Sequence, residues 1–224
     1  GVNVDQYVHS FDESPTRVEK ICSVVCDVLD ALDYVHSRGV IHRDIKPSNI
    51  MIENGSNVRL MDLGISRMSG GNKFSSCGFI GTPQYSAPEQ IKREENGSVV
   101  SINATTDIYE LGITFYELLT GTNPMDCESE AETLAHQLSE PLPYNECIPR
   151  RLFKVIAKAT EKEQSLRYQT ALEFKEAIHQ ALQPEPSAGE RLSEWIQSHQ
   201  TMVIIAATGF GVALAAIILI ALTI

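Results

Sequence analysis

The stretch His42-Arg43-Asp44-Ile45-Lys46-Pro47-Ser48-Asn49 decides how this chain is interpreted. It places a carboxylate at Asp44, an ammonium two residues later at Lys46, and a carboxamide at Asn49. Because Pro47 fixes its own φ and has no N–H to donate, we expect a shaped loop here and not a helix. The stretch therefore gathers three chemically different polar groups within one loop.

A second carboxylate, Asp62, stands thirteen residues after Asn49. Two short β-like runs at 50–52 and 58–61 lie between them, and the Asn-Gly pair that joins the runs is typical of a hairpin turn. Such a hairpin would tie Asn49 and Asp62 to one rigid element. One base and two oxygen ligands are what phosphoryl transfer assisted by magnesium requires from a protein. We expect Asp44 to be the base and the other two to bind the metal.

The same stretch is followed by Asp62-Leu63-Gly64 and by Gly81-Thr82-Pro83-Gln84-Tyr85-Ser86-Ala87-Pro88-Glu89. Together these motifs resemble the catalytic loop, metal loop and activation-segment end of a protein kinase, of the kind found in bacterial eukaryotic-like Ser/Thr kinases. The resemblance implies ATP and Mg²⁺ as cofactors and a Ser or Thr hydroxyl of a protein as substrate. Leu63 replaces the usual phenylalanine of the metal loop, which leaves Asp62 intact.

The resemblance also implies roles for residues around the proposed base. Lys46 would contact the γ-phosphate, and Thr82 would bridge Asp44 and Lys46. Asn49 and Asp62 would hold Mg²⁺ and, through it, the nucleotide. Met51 would form the floor of the adenine site, although an ordinary core methionine explains Met51 equally well.

Structural and regulatory roles are implied for a further set of residues. Glu89 would form a buried ion pair with Arg167. Asp107 would be buried and would accept backbone N–H groups of the catalytic loop, whereas without the resemblance it would be interpreted as a helix N-cap. His36 would be a packed structural histidine.

The Gly- and Ser-rich segment from Gly64 to Thr82 matches an activation loop. Ser75 and Ser76 are candidate phosphorylation sites within it, and Arg43 would pair with such a phosphate. An exposed Ser-rich loop without modification is the alternative, and both interpretations stay open.

Hydrophobic spacing predicts a mainly α fold with a small β-hairpin, and the resemblance implies that this fold is the C-lobe of a protein kinase. Val18, Ile21, Val25, Leu29 and Leu32 recur at intervals of three and four residues, which predicts a helix over 16–38 that stops at Gly39. Further helices are predicted at 107–121, 129–138, 149–160 and 170–182. Residues 1–14 show no periodic pattern.

The chain divides in the sequence into three parts. Residues 1–182 carry the kinase-like lobe, and residues 183–200 form a Pro-rich polar linker. Residues 201–224 contain no charged side chain, and as a helix they would be about 36 Å long, enough to cross a ~30 Å hydrocarbon core. We expect one transmembrane helix in a lipid bilayer, with a buried soluble helix as the alternative. Because ATP is cytosolic, the lobe of this single-pass membrane protein is predicted to be cytoplasmic.

Charge and cysteine content exclude some other functions. The net charge of −11 argues against nucleic acid as a partner and suits a basic or neutral protein substrate. The five cysteines include no C-x-x-C pair, which fits reduced thiols. Cys22 and Cys26 share a helix face, but no histidine is near them in the sequence, so small buried side chains are expected instead of a metal clip.

The 224 residues contain no G-x-G-x-x-G loop and no strand with a V-A-I-K-like lysine. We therefore expect the N-lobe of a kinase to be absent from this chain and to lie before Gly1, which makes the chain a fragment that is inactive alone. The rival hypothesis is a non-catalytic, membrane-tethered binding module similar to a pseudokinase.

Overall fold

The computed structural model describes residues 1–11, 16–55, 57–63, 82–92 and 101–184. The chain divides into two compact units, Gly1–Leu182 and Gln183–Ile224. Nearly all of the second unit, including the predicted membrane span, lies outside the described residues. The fold is therefore described for the first unit.

The described part of the first unit is mainly helical and has one small sheet. Its strands are β1 (Val2–Asn3), β2 (Ile50–Glu53) and β3 (Asn57–Leu60). Its α-helices are α1 (Val4–His9), α2 (Thr16–His36), α3 (Pro88–Ile91), α4 (Ala104–Thr120), α5 (Glu130–Ser139), α6 (Arg150–Ala159) and α7 (Ala171–Leu182). Single 3₁₀ turns occupy Pro47–Asn49 and Gln164–Leu166.

The long helix α2 forms at the residues that the hydrophobic spacing predicts. Ile21, Val25, Leu29 and Leu32 are fully buried, so the apolar stripe faces the core. Helix α2 ends at His36, and Gly39 follows with φ 72°, a left-handed conformation that glycine adopts without steric cost. The predicted helix is confirmed, with its end two residues earlier than expected.

Helix α4 is the most deeply buried helix of the described residues and packs against both α2 and α6. It starts at Ala104, three residues before the predicted start, because the Asn103 side chain accepts the N–H of Thr105 as an N-cap. Gly121 closes it in the left-handed conformation. A Cβ on Gly112 would lie 2.6 Å from Thr160 Cγ2, so glycine is needed for the close approach of the chain after α6.

The predicted hairpin is present as β2 and β3, and β1 adds a third antiparallel strand by pairing Val2 with Ile52 and Asn3 with Met51. The Asn3 side chain also accepts the N–H of Asp5 at 2.8 Å and so caps α1. Residues 1–14 show no periodic pattern in the sequence, because these two elements are too short to produce one.

Helices α5, α6 and α7 lie within one or two residues of their predicted bounds. The mainly α fold with a small sheet is therefore confirmed. Within the described ranges, none of the helices is both long enough and apolar enough to span a membrane, and the predicted span at 201–224 is not among them.

Candidate active site

Asp44, Lys46 and Thr82 contact one another directly. The Lys46 ammonium donates to Thr82 Oγ1 at 2.6 Å and lies 3.2 Å from Asp44 Oδ2. The Thr82 hydroxyl donates to Asp44 Oδ1 at 3.2 Å. Both carboxylate oxygens of Asp44 are thus held by donors, and the bridge expected of Thr82 is present.

Asn49 joins this cluster from the 3₁₀ turn that follows Lys46. Its side-chain nitrogen donates to the backbone oxygen of Asp44 at 2.8 Å and to Asp44 Oδ2 at 3.0 Å. Because both partners are acceptors, the nitrogen must be the atom that faces Asp44. The amide oxygen, a ligand type that Mg²⁺ accepts, consequently points away from Asp44.

Asp62 is placed by its neighbour Met61. The Met61 N–H donates to Asn49 O at 2.8 Å, and Met61 O lies 2.8 Å from His42 Nε2. Asp62 has φ 54°, an uncommon conformation for a residue with a side chain, and it is exposed. Met61, the residue before Asp62, is therefore held to the 42–49 loop at both its N–H and its carbonyl.

Asp107 holds the backbone of the loop that carries Asp44. Its carboxylate accepts the N–H of His42 at 2.9 Å and the N–H of Arg43 at 2.7 Å. The same carboxylate contacts His36 Nε2 at 2.7 Å. Asp107 is fully buried and Asn103 is the cap of α4, so the alternative that Asp107 is an N-cap was wrong. His36 has the structural contact expected of it.

The backbone of Arg43 is in the left-handed region, with φ 65°. This conformation costs a residue with a side chain roughly 1–2 kcal/mol. The Arg43 N–H is held by Asp107, and its carbonyl accepts from Gln90 Nε2 at 3.1 Å. The phosphorylation candidates Ser75 and Ser76 lie outside the described residues.

Glu89 and Arg167 form a buried bidentate ion pair with N–O distances of 2.8 and 2.9 Å. Thr106 Oγ1 donates to the same carboxylate at 2.7 Å. Burial opposes ionisation of Glu89, but the Arg167 guanidinium outweighs it and holds the pKa of that carboxyl below its usual range. This pair connects the residues that follow Thr82 to the segment before α7.

Sequence analysis missed Glu110, which lies one helical turn after Asp107 on α4. Glu110 Oε2 accepts the N–H of Ile45 at 2.7 Å. Burial and the nearby Asp107 carboxylate raise the pKa of Glu110 well above its ordinary value. An acid inside an apolar helix is the sequence signal that could have identified it.

A second missed feature is a chain of hydrogen bonds to the segment after Thr82. The Lys162 ammonium donates to Tyr109 OH at 2.8 Å, and Tyr109 OH donates to Gln137 Oε1 at 2.6 Å. Gln137 Nε2 then donates to the carbonyls of Pro83 and Gln84 at 3.2 and 2.7 Å. Helix α5 and the loop after α6 thus hold the backbone beside the cluster.

A cleft of about 760 Å³ is lined by Lys46 and Thr82. Three carboxyl groups, those of Asp5, Glu117 and Asp126, also line this cleft. The cleft therefore presents acidic side chains next to the proposed base.

Met51 lies in β2 and is half-buried. It pairs with Asn3 of β1 and with Arg59 of β3, in the middle of the sheet. Its proposed contact with adenine stays a prediction.

Cys22 and Cys26 are buried, and burial raises the pKa of their thiols to about 12 and about 11. No histidine is near these cysteines in the sequence, but in the structure His179 Nε2 lies 3.6 Å from Cys26 Sγ. Metal binding requires a thiolate, which this burial disfavours. In the described ranges, no three His, Cys, Asp or Glu side chains cluster as a metal site.

Comparison with known proteins agrees with this geometry. The protein kinase domain family matches residues 3–201. The chain is 35% identical over 193 residues to the serine/threonine-protein kinase PknB of Mycobacterium tuberculosis, covering 83% of this chain and 30% of that protein. It is 39% identical over 162 residues to the probable serine/threonine-protein kinase PknB of Bifidobacterium longum, covering 69% of this chain and 23% of that protein.

The chain thus spans about a third or less of the length of these relatives. The family match nevertheless takes in most of the chain, including every residue of the cluster around Asp44. The chain belongs to the protein kinase family.

Proposed function

We propose that this chain carries the phosphoryl-transfer residues of a Ser/Thr protein kinase, which moves the γ-phosphate of ATP to Ser or Thr hydroxyls of proteins. The observation that carries the proposal is the contact of Asp44 with Lys46, Thr82 and Asn49 on a loop anchored to α4. The names of the relatives support the Ser/Thr specificity.

Asp44 would orient the substrate hydroxyl and accept its proton. The donors on its two oxygens favour the ionised carboxylate, which a base requires. The Lys46 ammonium is 3.2 Å from that carboxylate, so it would lie next to the phosphoryl group during its transfer. Thr82 links the two and fixes their separation.

The donor set of the site fits Mg²⁺, which prefers oxygen ligands. Asn49 presents its amide oxygen away from Asp44, and Asp62 contributes an exposed carboxylate. When bound, Mg²⁺ would neutralise charge on the phosphates of ATP. Met51 would contact the adenine from β2 in the same proposal.

The test is transfer of phosphate from ATP to a protein substrate, measured on the complete protein that contains these residues. We expect Asp62→Ala to abolish transfer with its fold retained. Asp30→Ala is the matched control, because Asp30 is an exposed residue of α2 that contacts Lys175 at the surface. Transfer that persists in Asp62→Ala would remove the proposed role of this carboxylate.

Residues 183–200 and 201–224 are proposed to be a linker and a single transmembrane anchor, with the kinase lobe in the cytoplasm. The support is the length of the uncharged segment. The protein should stay in the membrane pellet after alkaline carbonate extraction, and deletion of 201–224 should release it. Release of the undeleted protein by carbonate would contradict the anchor.

Arg43 is proposed to bind phosphate on Ser75 or Ser76. The support is its place next to Asp44 in the loop. Mass spectrometry of the active protein should find phosphate on at least one of the two serines. An active protein with both serines unmodified would contradict this regulation.

A non-catalytic, membrane-tethered binding module remains the second candidate. The 224 residues contain no glycine-rich loop and no strand lysine, and the two candidates differ in whether such residues precede Gly1. The gene sequence upstream of Gly1 discriminates between the candidates. A glycine-rich loop and a strand lysine there favour the enzyme, and an unrelated domain favours the module.

A further inference from the structure

Glu110 is a buried acid to which the proposed chemistry gives no role. It lies on α4 with only 2% of its surface exposed, among the apolar residues of that helix. Burying a carboxyl group is costly, and an apolar side chain would pack at such a position at lower cost. Its carboxyl group accepts the N–H of Ile45, the residue between Asp44 and Lys46, and it also hydrogen-bonds the Gln90 side chain.

The peptide group that joins Asp44 to Ile45 is held from two sides. Its N–H donates to Glu110 Oε2 at 2.7 Å, and its carbonyl oxygen accepts from Asn49 Nδ2 at 2.8 Å. Because rotation about the Cα–C bond of Asp44 would break both hydrogen bonds, they fix the peptide plane. That plane in turn determines how the Asp44 side chain leaves the backbone.

Helix α4 supports the loop at successive turns. Asp107 accepts the N–H groups of His42 and Arg43, and Glu110 accepts that of Ile45, two residues after Arg43. Asp107 therefore holds the loop before the proposed base, and Glu110 holds it directly after the base. The two carboxyl groups act on different peptide groups.

We infer that Glu110 is a positioning residue, which holds the Asp44–Ile45 peptide group so that the Asp44 carboxylate keeps facing Lys46 and Thr82. The inference extends the proposed kinase function, and the expected effect of Glu110 on phosphoryl transfer rests on that function. Its effect on the Asp44–Ile45 peptide group does not depend on activity. Glu110 acts on the position of Asp44 through the backbone N–H of Ile45.

The protonation state of Glu110 determines which substitution preserves this contact. Burial and the nearby Asp107 carboxylate favour the neutral form of Glu110, whose carbonyl oxygen accepts the hydrogen bond. Glutamine offers the same carbonyl oxygen, whereas methionine has a similar size and no such acceptor.

The first test uses NMR on the 224-residue chain and needs no activity. In Glu110→Met we expect faster amide hydrogen exchange at Ile45 and shifted side-chain amide signals of Asn49, which report on Asp44. Glu110→Gln should restore both. Leu118→Val, a buried change on the same helix, should leave both signals as in wild type. Unchanged Ile45 exchange and unchanged Asn49 signals in Glu110→Met would overturn the inference.

If Glu110→Met fails to fold, Glu110→Asp replaces it, because the shorter side chain withdraws the carboxyl from Ile45. The second test is phosphoryl transfer by the complete protein. A misplaced base should lower kcat by about 10-fold to 100-fold with little change in KM, and Glu110→Gln should recover most of kcat. Full kcat in the folded methionine or aspartate variant would refute the catalytic consequence. Absence of transfer by the wild type refutes the proposed function instead, and NMR still decides the geometry.

Discussion

Glu89 and Arg167, 78 residues apart in the sequence, form a bidentate ion pair that is almost completely buried. Removing one partner leaves the other charge buried without compensation, so Glu89→Ala or Arg167→Met should lower the free energy of unfolding by about 3–5 kcal/mol. Denaturant unfolding measures the loss. The double variant should lose less than the sum of the two single losses.

The surface pair Lys175–Asp30 is the matched control for that experiment. Its side chains are 25% and 52% exposed, although its shortest distance is 2.6 Å. Lys175→Met should therefore change the unfolding free energy by only about 0–1 kcal/mol. An equal loss of unfolding free energy at the two pairs would contradict the claim that burial makes the Glu89–Arg167 pair more important for stability.

Glu110 should make stability depend on pH. Its folded pKa is raised above the ordinary value of 4.5, so the folded state keeps the proton at a pH where the unfolded chain has released it. Wild-type stability should fall as pH rises from about 4.5 towards the folded pKa, by at most about 1.4 kcal/mol per pH unit. The Glu110→Gln variant has no titratable side chain at this position.

The difference in unfolding free energy between Glu110→Gln and wild type should consequently grow in favour of the variant as pH rises. Urea unfolding at several pH values between 4 and 9 measures it. A difference that stays constant over this range would show that Glu110 has an ordinary pKa. The difference should level off only well below pH 4.5, where the carboxyl is protonated in both states.

Thr82 offers a test of the bridge between Asp44 and Lys46. Thr82→Val keeps the shape and removes the hydroxyl that contacts both residues. Transfer by the complete protein should fall by about 10-fold to 100-fold, because the base loses a fixed orientation. Thr82→Ser retains the hydroxyl and should keep most of the rate. Equal rates for valine and serine would exclude a role for the hydroxyl.

Tyr109 tests the hydrogen bonds that reach Pro83 and Gln84. Tyr109→Phe removes only the hydroxyl that joins Lys162 to Gln137. Since it leaves polar groups with fewer partners, we expect a loss of about 1–3 kcal/mol in denaturant unfolding. Tyr144→Phe is the control, because Tyr144 is 42% exposed. A Tyr109→Phe protein as stable as this control would contradict the structural role.

Local patterns were sufficient to predict much of the fold. Helix α2 follows from its three- and four-residue spacing, and the hairpin follows from an Asn-Gly pair between two β-like runs. The strand β1 and helix α1 could not be predicted in this way. They are two and six residues long, and β1 exists only because it pairs with β2.

Residues of the candidate site could be predicted from the sequence where they lie within a motif, as Asp44, Asn49 and Thr82 do. The contacts that depend on distant residues were harder to find. The Ile45–Glu110 hydrogen bond spans 65 positions, and no local pattern links its partners. Cys26 and His179 are 153 positions apart, so their proximity arises only when α2 packs against α7.

The central claim is that Asp44 is the base of a protein kinase, held in place by Lys46, Thr82 and Asn49. Its most direct test is the rate of phosphoryl transfer by the complete protein with Asp44→Asn, a change that keeps size and removes the charge. The account predicts a folded protein that binds ATP and transfers phosphate at least about 100-fold more slowly than wild type. A folded Asp44→Asn protein that transfers phosphate at the wild-type rate would contradict it.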